Sequence, residues 1–106
     1  MARLSPQEQV TLRELAGRVR QQFGERLVAI TLFGSRARGE GRDDSDLDVL
    51  VRLHDATRED RRVLQDVAFD LGLDAGLVIS PLLADTATWR GDSFLAGAIA
   101  REGIAL

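Results

Sequence analysis

Two aspartates separated by one residue, Asp46 and Asp48, lie in the apolar segment DLDVLV. On a β-strand, side chains at positions i and i+2 point to the same face, about 6.5 Å apart. Two carboxylates at this spacing repel each other unless a cation lies between them. Because no histidine or cysteine is nearby, the oxygen ligands favour Mg²⁺ or Mn²⁺ over zinc. The pair therefore predicts a divalent-cation site on a strand.

A candidate phosphate site precedes the aspartates, because the apolar run LVAITLF is followed at once by Gly34 and Ser35. Glycine lets a phosphate approach the backbone, and a short helical turn after it presents free N–H groups. The Ser35 hydroxyl can bind phosphate oxygens, while Arg36 and Arg38 can add positive charge. If the two strands are neighbours, a triphosphate bound here would share a Mg²⁺ ion with the aspartates. That arrangement serves in-line attack on a nucleotide α-phosphate.

Two other cation or phosphate motifs do not fit this segment. Asp44, Asp46 and Asp48 have the spacing of the first EF-hand ligands, but Val49 stands where that loop needs glycine. The segment GSRARGEGR lacks the Gly-Lys-Ser/Thr of a Walker loop. A lone Asp-x-Asp or a lone Gly-Ser is an ordinary strand edge or turn. The metal–nucleotide hypothesis therefore depends on their combination within two predicted strands.

Hydrophobic spacing and helix-capping signals predict the elements that position these residues. In chain order they are a helix from the Ser5 cap to Gly24, strands over 27–33 and 46–53, a helix over 60–71, a strand over 76–83, and a helix from an Asp92 or Ser93 cap to Gly103. Ser5 and Glu8 have the spacing of a capping box. Pro81 interrupts the third strand and predicts a position at a sheet edge. The order predicts an α+β (mixed α/β) fold with a small mixed β-sheet backed by helices.

Composition limits the class of protein. A length of 106 residues predicts one domain over 1–106, and the 44% of hydrophobic residues suffices for a core. The absence of cysteine excludes disulfides and thiolate metal sites. No apolar leader is visible, and no apolar run approaches the roughly 18 residues of a membrane span, so we expect a soluble cytoplasmic protein. The net charge of −3 gives no global argument for nucleic-acid binding, and none is predicted.

The motif GS, ten residues, DLD resembles the signature of the minimal nucleotidyltransferases, the smallest members of the DNA polymerase β-like superfamily. The resemblance runs from about Leu27 to Leu53 and implies a polymerase β-like nucleotidyltransferase fold. It implies that Gly34 and Ser35 hold the triphosphate and that Asp46 and Asp48 bind the catalytic Mg²⁺. It also implies a partner, because such proteins are often encoded beside a HEPN-domain protein. Several act as antitoxins that transfer AMP from ATP to that HEPN toxin.

Many relatives in this family carry a third carboxylate on the next strand. In the segment DAGLVISP the matching position falls on Gly76. Asp74 lies two residues earlier, on the same face of the predicted strand, and would reach the metal if the register differs by two. In polymerase-like chemistry the third carboxylate helps to activate the attacking hydroxyl. Its absence would therefore affect turnover more than nucleotide binding.

Two functions remain open at this point. The first is a Mg²⁺- or Mn²⁺-dependent enzyme that transfers AMP from ATP to a hydroxyl of a partner protein, a HEPN toxin by resemblance. Asp46 and Asp48 would be its catalytic metal ligands, and Gly34, Ser35 and Arg36 would bind the nucleotide. The second is a catalytically inactive nucleotide-binding module that neutralises its partner by complex formation alone.

The size of the chain gives an independent argument for a partner. A cation and a triphosphate occupy most of the concave surface that a domain this small can offer. The acceptor must then come from another molecule. A small-molecule modifier, such as an aminoglycoside adenylyltransferase, fits less well because those enzymes carry an extra domain for the acceptor.

Overall fold

The computed structural model describes residues 4–39 and 46–106. Its elements are α1 (Pro6–Phe23), a 3₁₀ turn (Gly24–Arg26), β1 (Leu27–Phe33), α2 (Ser35–Arg38), β2 (Leu47–Leu53), α3 (Arg58–Ala75), β3 (Ile79–Asp85), α4 (Phe94–Glu102) and β4 (Ile104–Ala105). The predicted order of long elements is confirmed, and α2 is the predicted helical turn after β1. The two-residue strand β4 is an addition that the sequence pattern does not indicate.

The four strands form one mixed sheet in the order β3-β2-β1-β4. Strand β2 pairs antiparallel with β1 and parallel with β3, which confirms the predicted mixed sheet. Strand β3 lies at the edge, as Pro81 predicts, because proline cannot donate a hydrogen bond to a second neighbour. The end of β1 meets the start of β2, where Phe33 is in register with Asp48. This topology places the predicted phosphate turn beside the predicted carboxylates.

Capping side chains set the ends of the two long helices. Glu8 N–H donates to Ser5 Oγ at 3.1 Å and Ser5 N–H donates to Glu8 Oε1 at 2.8 Å, so the predicted capping box at the start of α1 is confirmed. Helix α3 is longer than the predicted 60–71, because Thr57 forms a second capping box with Asp60. At its other end, α3 continues to Ala75 and Gly76 is its left-handed cap, with φ +69°.

The apolar core lies between the sheet and the pair α1 and α3. Strand β2 is its centre, with Val49, Val51 and Leu53 fully buried. Helix α4 lies by the other face of the sheet, where Ile99 and Leu50 line the same groove. Among the described residues, no helix combines the length and the apolar character that crossing a membrane requires.

Candidate nucleotide and metal site

The two aspartates stand at the beginning of the central strand. Asp46 immediately precedes β2 and is exposed, whereas Asp48 is the second residue of β2 and is partly buried. Asp48 is flanked by Phe33 of β1 and Ser80 of β3 in the sheet register. The structure therefore brings the pair to the rim of the sheet. Asp44, which belongs to the rejected EF-hand pattern, lies outside the described residues.

The backbone of Gly34 lies directly against the Asp48 carboxylate. A Cβ atom built on Gly34 would be 2.4 Å from Oδ2 of Asp48, closer than any side chain could stay. Gly34 also has φ +79° and ψ −163°, a conformation that is essentially restricted to glycine. The two strands are thus neighbours, and the predicted phosphate turn and the predicted cation ligands meet at one point.

Helix α2 begins at Ser35, directly after this glycine. The first bond of its turn runs from the N–H of Arg38 to the carbonyl of Gly34, at 3.3 Å. The amides of Ser35 and Ala37 precede that bond, so they have no acceptor within the helix. These N–H groups and the Ser35 hydroxyl are suitable donors for phosphate oxygens next to the carboxylates.

The electrostatics of the pair favour a cation. Burial raises the pKa of Asp48, and repulsion by the Asp46 carboxylate raises it further. A divalent cation relieves both costs, because it compensates the lost hydration of Asp48 and lies between the two like charges. The oxygen donors and the space that Gly34 leaves beside Asp48 fit a Mg²⁺ ion. Within residues 4–39 and 46–106, no group of three acidic, histidine or cysteine side chains forms a larger metal cluster.

The predicted place of the third carboxylate is wrong. Asp74 is an exposed residue in the last turn of α3, and Gly76 caps that helix, so neither belongs to a strand. The residue of β3 in register with Asp48 is Ser80. Its hydroxyl donates a hydrogen bond of 3.0 Å to Oδ2 of Asp46. The sequence pattern does not indicate Ser80, because it predicts a strand that starts three residues too early. Glycine is common just after a helix end, and this signal at Gly76 could have indicated the later start of the strand.

The structure places Arg36, a predicted nucleotide-binding residue, against the start of α1. Its guanidinium is buried and contacts Glu8, with 2.7 Å from Nη2 to Oε1 and 2.7 Å from Nη1 to Oε2. Burial would raise the pKa of Glu8, but hydrogen bonds from Arg36 and from Ser5 outweigh it and lower the pKa. Arg36 therefore ties α2 to the start of α1, which fixes the turn that follows Gly34. Arg38 reaches the last helix, where Nη1 lies 3.2 Å from Glu102.

Residues 12–87 match the family described as "Nucleotidyltransferase domain". The chain belongs to this family. The matched span of the nucleotidyltransferase domain includes the turn at Gly34, the two aspartates and Ser80. The family resemblance inferred from the GS and DLD motifs is confirmed.

Individual relatives agree with this membership. The chain is 38% identical over 77 residues to "Putative protein adenylyltransferase MJ1305" of Methanocaldococcus jannaschii, a match that covers 70% of this chain and 52% of that protein. The nucleotidyltransferase domain thus spans about half the length of this relative. A solved structure of a "putative minimal nucleotidyltransferase" is 30% identical, with a TM-score of 0.60 over 92% of this chain and 94% of that one. This similarity confirms the predicted fold.

A more distant structural relative comes from Shewanella oneidensis. It is a complex of an MNT antitoxin with a tri-AMPylated HEPN toxin. The matched chain is 18% identical, with a TM-score of 0.56 over 92% of this chain and 69% of that one. At this identity the similarity establishes a shared fold with the nucleotidyltransferase domain and nothing further.

Proposed function

We propose that this chain is a Mg²⁺-dependent protein adenylyltransferase that transfers AMP from ATP to a hydroxyl of a partner protein. The observation that carries the proposal is the contact between the Gly34 backbone and the Asp48 carboxylate. This contact supports the proposal because it brings the predicted phosphate turn next to the predicted cation ligands, and a cation bound together with a triphosphate needs both groups close together.

Each residue of the site has a role in this proposal. Asp46 and Asp48 would hold Mg²⁺, which supplies charge neutralisation for the triphosphate and the leaving pyrophosphate. Gly34 leaves room for the phosphates to approach, and the backbone and hydroxyl of Ser35 donate hydrogen bonds to their oxygens. Arg36 acts from a distance, because its buried contact with Glu8 keeps the turn in place.

The reaction is a substitution at the α-phosphorus. The hydroxyl oxygen of the partner attacks this atom, the bond to the oxygen bridging to the β-phosphate breaks, and pyrophosphate leaves. The hydroxyl proton is released to solvent as the new phosphodiester forms. The turn at Gly34 and Ser35 contributes by holding the triphosphate in line with the incoming hydroxyl.

The acceptor is proposed to be a HEPN-domain toxin, for which this chain would act as antitoxin. The relatives support its nature, since one is named for protein adenylyl transfer and a structure of the same fold contains an AMPylated HEPN toxin.

Intact-protein mass spectrometry tests the proposal directly. The chain is incubated with Mg²⁺, ATP and any HEPN-domain protein that its organism encodes, and also with a lysate fraction of that organism. We expect a protein to gain the mass of one or more AMP groups. Asp48→Asn is the matched control and should produce no adduct. Transfer at the wild-type rate by this variant would refute the assignment of the site.

A second function, a binding module that neutralises its partner without transfer, is favoured by one observation. Ser80, an uncharged residue, occupies the position on β3 beside Asp48. The two functions differ in whether the carboxylates are needed. If the double variant Asp46→Asn, Asp48→Asn still neutralises the toxin fully in growing cells, the binding module is correct and the enzyme is not.

A further inference from the structure

Ser80 is the residue of β3 that lies beside the carboxylate pair. It is in register with Asp48 across the parallel pairing of β2 and β3. Its side chain shares the face of the aspartates, since its hydroxyl donates a hydrogen bond of 3.0 Å to Oδ2 of Asp46. A single serine therefore touches one aspartate through its side chain and neighbours the other in the sheet.

Among the described residues, strand β3 brings no charged side chain to the site. In the described part of the chain, no third acidic, histidine or cysteine side chain joins the pair. The acidic residue of β3, Asp85, lies at the opposite end of the strand, in register with Leu53. Its carboxylate accepts hydrogen bonds from the backbone of Ala56 and Ala87 there. A neutral hydroxyl thus stands where a carboxylate would add a charge.

We infer, on the basis of the proposed function, that Ser80 is a positioning residue that determines how the cation enters the site. Mg²⁺ keeps several waters and is usually held by one or two carboxylates together with substrate phosphates. Two carboxylates without a third charged ligand hold a divalent cation weakly, so the cation binds as its complex with the triphosphate. The hydrogen bond from Ser80 fixes the orientation of the Asp46 carboxylate that this complex needs.

Mn²⁺ is a suitable probe, because the free ion has an electron paramagnetic resonance signal that is lost on binding. The nucleotide alone also binds Mn²⁺, so its contribution is measured without protein and subtracted. The wild type should bind Mn²⁺ alone weakly, and at least about tenfold more tightly with α,β-methylene ATP, which cannot donate AMP. Ser80→Asp adds a carboxylate and should strengthen the binding of Mn²⁺ alone by at least about tenfold, because ligand charge sets affinity. Asparagine is nearly the same size as aspartate but carries no charge, so Ser80→Asn should not strengthen the binding of Mn²⁺ alone.

The positioning role is tested with the hydroxyl itself. Ser80→Ala frees the Asp46 carboxylate and should weaken the binding of Mn²⁺ with α,β-methylene ATP by about tenfold, as is usual when a group that orients a metal ligand is removed. Ser80→Thr keeps the hydroxyl and should retain wild-type affinity. A purely structural role for Ser80 would shift the urea unfolding midpoint of Ser80→Ala and leave its affinity for the Mn²⁺–nucleotide complex unchanged.

The outcomes separate this inference from the proposed function. If the wild type does not bind Mn²⁺ more tightly with α,β-methylene ATP than without it, both are overturned. If the wild type does so, but Ser80→Asp binds Mn²⁺ alone no better than Ser80→Asn, only the role of Ser80 is overturned. The same holds if Ser80→Ala binds the Mn²⁺–nucleotide complex as well as the wild type does.

Discussion

Gly34 has no side chain, and a Cβ atom in its place would lie 2.4 Å from Oδ2 of Asp48. Gly34→Ala therefore forces either the turn or the carboxylate to move, and it also strains a backbone with φ +79°. We expect this variant to lose binding of the Mn²⁺–nucleotide complex and to be destabilised by about 1–3 kcal/mol. Titration with Mn²⁺ and α,β-methylene ATP, together with urea unfolding, measures the two effects separately.

Gly76→Ala is the matched control. Gly76 also has a positive φ, +69°, but a Cβ atom there would meet nothing within 4 Å. The variant should lose about 1–2 kcal/mol of stability from the left-handed conformation alone and bind the nucleotide complex normally. If Gly34→Ala retains wild-type nucleotide binding, the contact with Asp48 does not shape the site.

The ion pair between Glu8 and Arg36 gives a second prediction, about stability. Both side chains are buried, at 4% and 3% relative exposure, and they join α1 to the turn after β1. Glu8→Gln keeps the size of the side chain but removes its charge from the guanidinium. Breaking a buried ion pair is strongly destabilising, so the free energy of unfolding should fall by about 3–5 kcal/mol in urea denaturation.

Glu59→Gln is the corresponding control on the surface. Glu59 pairs with Arg62 within α3, and both side chains are more than half exposed. Exposed pairs contribute little, so this variant should unfold at nearly the wild-type urea concentration. Equal losses from the two glutamate variants would show that burial of the Glu8–Arg36 pair does not matter.

The contrast between local and long-range features explains what the sequence could predict. The strand β1, the Gly34–Ser35 turn and the two aspartates are recognisable because each depends on spacing within a few residues. The contact of Arg36 with Glu8 joins positions 28 residues apart, and that of Ser80 with Asp46 joins positions 34 apart. No periodicity encodes such pairs, since they follow from how the helices and strands pack.

The misplaced start of β3 has a different cause. The apolar segment after Asp74 continues without a polar break, so its pattern suits a strand from Gly76 as well as a helix ending there. The Leu77 N–H donates to the Gly72 carbonyl at 2.8 Å, which closes α3 and delays the strand to Ile79. Hydrogen bonding at the helix end, which hydrophobicity does not report, decides the boundary.

Asp60 gives a prediction about pH. Hydrogen bonds from the Arg26 guanidinium lower the pKa of the Asp60 carboxyl. Burial raises this pKa, but hydrogen bonds from Thr57 lower it further, and the net shift is downward. A carboxylate with a lowered pKa stabilises the fold above its usual titration range and loses that contribution as the pH falls through the lowered pKa. The wild type should therefore be more stable than Asp60→Asn near neutral pH. Urea unfolding as the pH falls below the usual range of Asp should show this difference shrinking.

Asp60→Asn is a sharp test because asparagine can still accept the hydrogen bond from the Thr57 N–H, which measures 2.9 Å to Oδ2 in the wild type. The change therefore removes the charge and spares the cap of α3. A stability difference that stays constant from neutral to acid pH would contradict the assigned role of the Arg26–Asp60 pair.

Asp48 should show the opposite pH dependence. Burial, and then repulsion by Asp46, raise its pKa, so the charged carboxylate costs stability in the folded chain. The protonated carboxyl avoids this cost. The stability that Asp48 contributes is therefore present at acid pH and is lost as the pH rises through the raised pKa.

Without a divalent cation, Asp48→Asn should therefore be at least as stable as the wild type near neutral pH, and this advantage should vanish in acid. Urea unfolding with a chelator present measures it. A variant that unfolds more easily than the wild type at neutral pH would mean that the Asp48 charge supports the fold, and loss of transfer in Asp48→Asn would then not distinguish chemistry from folding.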